Sequence, residues 1–268
     1  MPRWENGFQT NEEIQAYKRY AVIREAARII SRQGFHNTSL DAVAKVLGIS
    51  KGTLYNYVKD KQEILFECHK ISLDLGEQAA RVASEAGGKG IDRLRLLLRC
   101  FIIWMYGQTG VGGLTFDVNA LRAEDRAVVV ARRDAMEAAL VGLLKESAED
   151  GSIRACDPKI TVYAIMSAIN GISAWYSPDG RLSIEAVADE MLDLLTRSLA
   201  TRPEDLAPYP PIPPYPMQVT PLGFFSRSAV ATTRVEKPVG PRKRAAASRK
   251  KPVASPSKRK ARSAGADV

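Results

Sequence analysis

The sequence predicts an all-α protein, and three observations carry that expectation. Over residues 15–199 apolar residues recur three and four apart, the spacing of one helix face. These runs are cut by Gly, Pro, Asp and Ser at places where helices stop and start. No stretch alternates apolar and polar residues for long enough to make a useful strand, and there is no internal repeat.

The elements follow in order. Residues 1–14 carry no periodic face and are expected to be flexible. Ile23, Ala26, Ala27 and Ile30 mark a first helix, followed by Gly34-Phe35. Thr38 or Ser39 can cap a second, because a side-chain oxygen there accepts from amides two or three residues on. Leu40, Val43, Ala44 and Leu47 form its apolar face. Gly48, the residue best able to take a positive φ, ends it. Ile49 fills the corner, and Ser50 caps a third helix over Lys51 to Tyr57, whose Leu54 and Val58 face inward. Asp60 caps a long helix from Gln62 to about Ala86, ended by Gly87-Gly88. Further helices are expected from Ile91 to Tyr106, over Leu114 to Asn119 and from Glu124 to Glu149, with Gly107 to Gly113 as a flexible connector. Asp157-Pro158, a cap followed by a first-turn proline, opens the next helix, which runs to Tyr176. Pro178-Asp179-Gly180 turns the chain, and Ser183 caps a last helix to about Leu199.

Two short helices around a tight turn, followed at once by another, make a helix-turn-helix. Such a motif lays the start of its second helix in the major groove of DNA. The residues that could face DNA are Thr38, Ser39, Ser50, Lys51, Gly52, Thr53, Tyr55, Asn56, Tyr57 and Lys61. Hydroxyl, amide and ammonium groups there reach base edges or phosphates. Lys61 sits in the first turn of a helix, against the dipole, which suits a phosphate lying nearby. Spacing alone fits a helical hairpin with a solvated face equally well.

The segment Leu54-Tyr55-Asn56-Tyr57-Val58-Lys59-Asp60-Lys61-Gln62-Glu63-Ile64-Leu65 resembles the signature of the tetracycline-repressor (TetR) regulators. Val58 stands where that family usually has Phe, and Gln62 precedes the Glu. The upstream Ile23, Ala26, Ala27, Ile30, Gly34-Phe35 and Thr38-Ser39 are similar to the family's first helix and its link to the second. The resemblance implies a DNA-binding head over 15–66 and a helical effector-binding and dimerisation domain over 67–201. It implies a homodimeric repressor on a near-palindromic operator, released by a small-molecule effector. The dimer interface is expected on Ile165, Ile169, Ile172, Met191, Leu192 and Leu195, in two strongly apolar helices that could also simply close a monomer core. Phe101, Trp104, Met105, Met136, Leu140 and Trp175 could line an apolar cavity or be ordinary core. Asn170 to Ser183 and Arg132-Arg133-Asp134 are similar to relatives that regulate fatty-acid or steroid breakdown and respond to acyl-CoA thioesters. In that reading Arg132 or Arg133 meets phosphates.

Charge divides the chain. Residues 1–201 hold 25 Lys+Arg against 26 Asp+Glu, and residues 202–268 hold 14 against 4. The net charge of +9 therefore belongs to the tail, not to the helical part. Inside the helical part, residues 1–60 are basic (9 against 6) and 61–201 acidic (16 against 20), as suits docking to DNA by one end. Residues 202–268 are Pro-rich, then Lys/Arg-rich, and are expected to be disordered: polyproline-like first, then a basic extension with nonspecific nucleic-acid affinity. Such a tail leaves open an architectural DNA-binding role; a small-molecule-binding protein with no DNA role is the remaining alternative. Three scattered cysteines, no metal-ligand spacing, no P-loop and no paired carboxylates point away from a disulfide framework, cofactor or enzyme. No membrane span is evident, so the expected location is cytoplasmic, at the nucleoid.

Overall fold

The computed structural model describes residues 11–109, 112 and 118–213. Among these the chain is all-α: α1 Asn11–Gln33, α2 Leu40–Leu47, α3 Lys51–Tyr55, α4 Lys61–Ala86, α5 Gly90–Ile102, α6 Ala123–Glu149, α7 Pro158–Trp175 and α8 Ile184–Arg197. Helix α1 begins inside the stretch expected to be flexible, because Tyr17, Ala21 and Val22 already turn an apolar face inward.

The capping chemistry holds in detail. The Ser39 hydroxyl oxygen accepts from the Ala42 amide at 3.1 Å, and Ser50 accepts from the Thr53 amide at 3.0 Å. Gly48 closes α2 at φ 68°, its amide turned back to the carbonyls of Ala44 and Lys45. Helix α3 ends at Tyr55, two residues sooner than the sequence suggests. Leu54 and Val58 are both drawn into the core, and the amides of Tyr57 and Val58 both close on the Leu54 carbonyl.

Helix α4 is shared between the helices before and after it. It packs on α1 at one end and on α5 and α6 along its length. One continuous apolar core runs from Val22 in α1 to Ala200. Its fully buried side chains include Leu54, Ile64, Leu75, Leu98, Ile102 and Leu144. Each contributes about 1.5–3 kcal/mol relative to exposure.

Three expectations change. The helix after Ile91 is α-helical only to Ile102 and continues as a π turn, Ile103–Thr109. The short helix expected over 114–119 falls mostly on residues outside those described; a 3-10 turn covers Val118–Ala120. The Pro-rich segment after α8 has a fixed place as far as Pro213. A 3-10 turn at Pro203–Asp205 leads into an extended run in which Leu206, Tyr209 and Ile212 pack against the core. Residues 206–213, expected to be disordered, are therefore held against the helical part, because an apolar residue at every third position gives an extended chain one sticky edge. Residues 214–268, with all the Lys/Arg clusters, lie outside the described residues.

Candidate nucleic-acid interface and effector cavity

Helix α3 is short and largely outward. Only Leu54 is buried, and Lys51, Gly52, Tyr55 and Asn56 are exposed. Lys51 Nζ lies 2.9 Å from the Asp41 carboxylate and 5.8 Å from the centre of the Tyr55 ring. Thr53 shares a 2.8 Å hydrogen bond with the Ser50 hydroxyl. A Cβ on Gly52 would meet nothing closer than Ser50 Oγ at 3.8 Å, so no neighbour in this chain requires the glycine. Ser39, Lys51, Tyr55 and Lys61 line one shallow concavity together with His36 and Arg122.

Three expected DNA-facing side chains are otherwise engaged. Thr38 is buried and donates to the Gly34 carbonyl at 2.9 Å, so it braces the link between α1 and α2. Tyr57 is half-buried against the core, and its carbonyl accepts from Arg19 Nε at 3.1 Å. Lys61 donates to the Phe35 carbonyl at 2.5 Å with its ammonium 4.8 Å from the Phe35 ring centre. It ties the start of α4 to the end of α1 while still facing the concavity. Sequence spacing marks these residues as polar and near the turn; it cannot say which way each points.

Asp60 has two partners. One oxygen caps α4, accepting from the Glu63 amide at 2.9 Å, and the other meets Arg122 at the start of α6. Gln62 Nε2 donates to the Ala120 carbonyl at 2.6 Å. Burial works against ionisation of Asp60, yet the amides and Arg122 hold its carboxyl below the usual range. Glu63 is held low in the same way, against burial, by the Lys59 amide and by Arg19 at 2.7 Å.

Behind the head, α4, α5, α6 and α7 enclose a partly open cavity of about 370 Å³. Phe101, Met136 and Leu140 line it, as expected. The other expected residues do not. Trp104 and Met105 are buried elsewhere, since the π turn carries them away from this face. Arg132 lies on the outer side of α6, paired with Asp74 and Glu77 at 2.7 Å each. Trp175 is 58% exposed at the end of α7.

The polar groups of the cavity are Ser72, Arg133, Glu137, Tyr163 and Asn170. Arg133 Nη2 stands 3.2 Å from His69 Nδ1, and burial pushes its guanidinium below the usual range. Glu137 accepts from Tyr163 at 3.2 Å and lies 3.3 Å from Lys159 Nζ. Gly76 makes room on the α4 side, where a Cβ would come within 2.9 Å of Met136 Cε. The arrangement suits an apolar ligand with an anionic end. The Arg132-Arg133 pair was the available signal; packing decides that the second is the one inside.

The residues expected at a dimer interface differ in exposure. Ile165, Ile169, Ile172 and Leu192 are buried within the single chain, and Met191 and Leu195 are half-buried. The four buried residues belong to the monomer's own core and Met191 packs against it, because the same helices turn their other faces outward. The exposed face of α7 carries Ile160, Tyr163, Ala164, Ser167, Ala174 and Trp175, and Leu194 on α8 is 74% exposed.

Among the described residues no His, Cys, Asp or Glu cluster could hold a metal ion, and no helix is long and apolar enough to cross a membrane. Cys68 and Cys100 are buried free thiols; burial raises both, Cys100 to about 11.

Residues 22–68 match the family of bacterial regulatory proteins called the tetR family, and residues 87–199 match the tetracyclin repressor-like C-terminal domain. The regulator HbdR of Aromatoleum sp. (strain CIB) is 24% identical over 200 residues, covering 72% of this chain and 85% of its own length. The transcriptional repressor KstR2 of Rhodococcus jostii (strain RHA1) is 24% identical over 193 residues, covering 69% and 92%. The crystal structure of AibR in complex with isovaleryl coenzyme A and operator DNA is 28% identical, with a TM-score of 0.56, covering 66% of this chain and 97% of AibR.

Proposed function

The chain belongs to the tetR family of bacterial regulatory proteins, a DNA-binding transcriptional regulator and not an enzyme, and from that premise we propose a homodimeric repressor that an anionic, apolar effector releases from its operator. The observation that carries the reading is the pairing of an outward α3, with Lys51 and Tyr55 exposed on it, with a cavity behind it whose α6 wall is tied to Asp60 by Arg122, the residue before α6. Two heads related by a two-fold axis read two half-sites of a near-palindrome. The outward faces of α7 and α8, with Ile160, Trp175 and Leu194, form the interface.

The effector is an acyl-CoA thioester. AibR, crystallised with isovaleryl coenzyme A and DNA, supports the class. Arg133 supplies the cation, and a cavity of about 370 Å³ houses the acyl part. That volume lies near the lower end of ligand pockets, roughly 300–1,000 Å³, so the nucleotide part stays outside. Effector and operator oppose each other reciprocally through one equilibrium. The basic residues beyond 221 add nonspecific DNA affinity, at the same address, the nucleoid.

Footprinting on the chain's own promoter, with decanoyl-CoA, decanoate and free CoA added in turn, tests this reading. The thioester alone should clear the footprint, and a footprint indifferent to all three refutes the effector class. Deleting residues 222–268 should keep the footprint and flatten its salt dependence; loss of all protection would make the tail the DNA-binding element. Trp175→Asp with Leu194→Asp should sediment as a monomer, and a persistent dimer would place the interface elsewhere.

A further inference from the structure

Both family matches end by residue 199, and the chain continues beyond them. From Leu206 the sequence runs Leu-Ala-Pro-Tyr-Pro-Pro-Ile-Pro, with an apolar side chain at 206, 209 and 212 and proline or alanine between. A polyproline helix has three residues per turn, so these three side chains share one edge. All three pack against the core. The carbonyls follow the same period. Arg95 Nη1 donates to Ala207 at 2.6 Å, Arg99 Nη1 to Pro210 at 2.9 Å, and Trp104 Nε1 to Pro213 at 3.4 Å. The Tyr209 ring lies 4.1 Å from the Arg95 guanidinium and 5.2 Å from that of Arg99. Cations over an aromatic face are attracted by its quadrupole. Asp189 on α8 holds Arg99 from the other side at 2.5 Å.

Two features make this more than loose packing. Arg95 is 5% exposed, and among the described residues no carboxylate pairs with it; the strap's carbonyl and ring are what receive its charge. A buried cation without such partners would cost several kcal/mol. The three donors also sit on a single stretch of helix, α5 and its π turn, whose other face, with Leu97 and Phe101, walls the cavity.

We propose that residues 206–213 are an intramolecular polyproline strap, read in register by Arg95, Arg99 and Trp104, that pins α5 from outside and so sets how far the cavity wall can move. Undocking the strap loosens α5 and the π turn and leaves the head unaffected. The inference rests on the cavity's position and not on which ligand fills it, so it stands or falls apart from the thioester reading.

Hydrogen exchange on the full chain, without ligand, provides the test. Tyr209→Ala with Ile212→Ala changes only the strap. In that variant the Trp104 indole N–H, assigned with Trp104→Phe, should exchange at least tenfold faster, as should the backbone amides of 97–102. Amides of α1 and α2 should keep their wild-type rates. Tyr209→Phe, which retains the ring, should behave as wild type. Wild-type exchange at Trp104 in the double variant would show that the strap is not docked. Faster Trp104 exchange with unchanged α5 amides would show that it docks without pinning the wall. Either result overturns the proposal, and failure of decanoyl-CoA to release the operator touches neither.

Discussion

Helix α3 buries only Leu54 and turns most of its five residues outward, whereas α5 buries ten of its thirteen. The difference follows from what each must meet. A groove reader presents donors to a partner that arrives from outside, so its helix is held by caps and one apolar anchor. A ligand cavity is walled from within, so its helix is held by packing on both sides. On the proposed reading, function in the head is exposed chemistry, and function in the body is the shape left over when large side chains pack.

The largest expected effect breaks the head and spares the body. Leu54→Ala removes the sole buried side chain of α3 and should cost about 2–5 kcal/mol. Urea denaturation followed by circular dichroism should show an early partial transition and no operator shift. A single transition at the wild-type midpoint would mean that α3 needs no anchor.

Next, Lys51→Ala and Tyr55→Ala should each weaken operator binding by roughly 1–3 kcal/mol in gel shifts, with the melting curve unmoved, since both are exposed. If either loss is matched by a loss of stability, the outward face is structural after all.

In the body the sharpest change is volume. Met136→Trp fills the cavity opposite Gly76 and should reduce thioester affinity at least tenfold by calorimetry, while operator affinity stays within twofold. Equal effects on both ligands would show that the cavity has no separate role.

Acid should act on the head and its joint with the body. Asp60 and Glu63 have folded pKa values below their unfolded ones. Their contribution is fully present above the ordinary carboxylate range, about 4, and is lost as pH falls through the depressed values. Asp60→Asn should flatten that acid limb in thermal melts taken from pH 6 down to 3.

The smallest effect has two signs. Gly52→Ala meets only an ordinary contact with Ser50 Oγ in the chain and should raise helix stability by up to about 1 kcal/mol while weakening operator binding, if the proposed reading of α3 holds, because the added methyl stands on its outward face. A stabilised variant that binds DNA as well as before would show that this glycine faces no partner.

The caps, breakers and apolar periods of α2, α4, α7 and α8 were legible because they are local: Ser39, Gly48, Asp60, Asp157 and Ser183 do what their neighbours in sequence require. The outward donors of α3 were legible for the same reason, since a five-residue helix has little freedom in which side it shows. Direction across the molecule was not. Thr38 and Arg132 are polar residues near the right place, yet one braces a loop and the other a surface ion pair. Ile165 and Leu192 are apolar in the right helices, yet they face their own core. Composition made the Pro-rich segment look free, because prolines rarely pack unless something reads their carbonyls. Sequence by itself determined the helices, most of their caps and the outward polar face of α3, all set by interactions within a few residues. Only the tertiary structure decided which arginine enters the cavity, which faces of α7 and α8 stay exposed and that Arg95 and Arg99 hold the strap, because these depend on residues brought together from 64 to 112 positions apart.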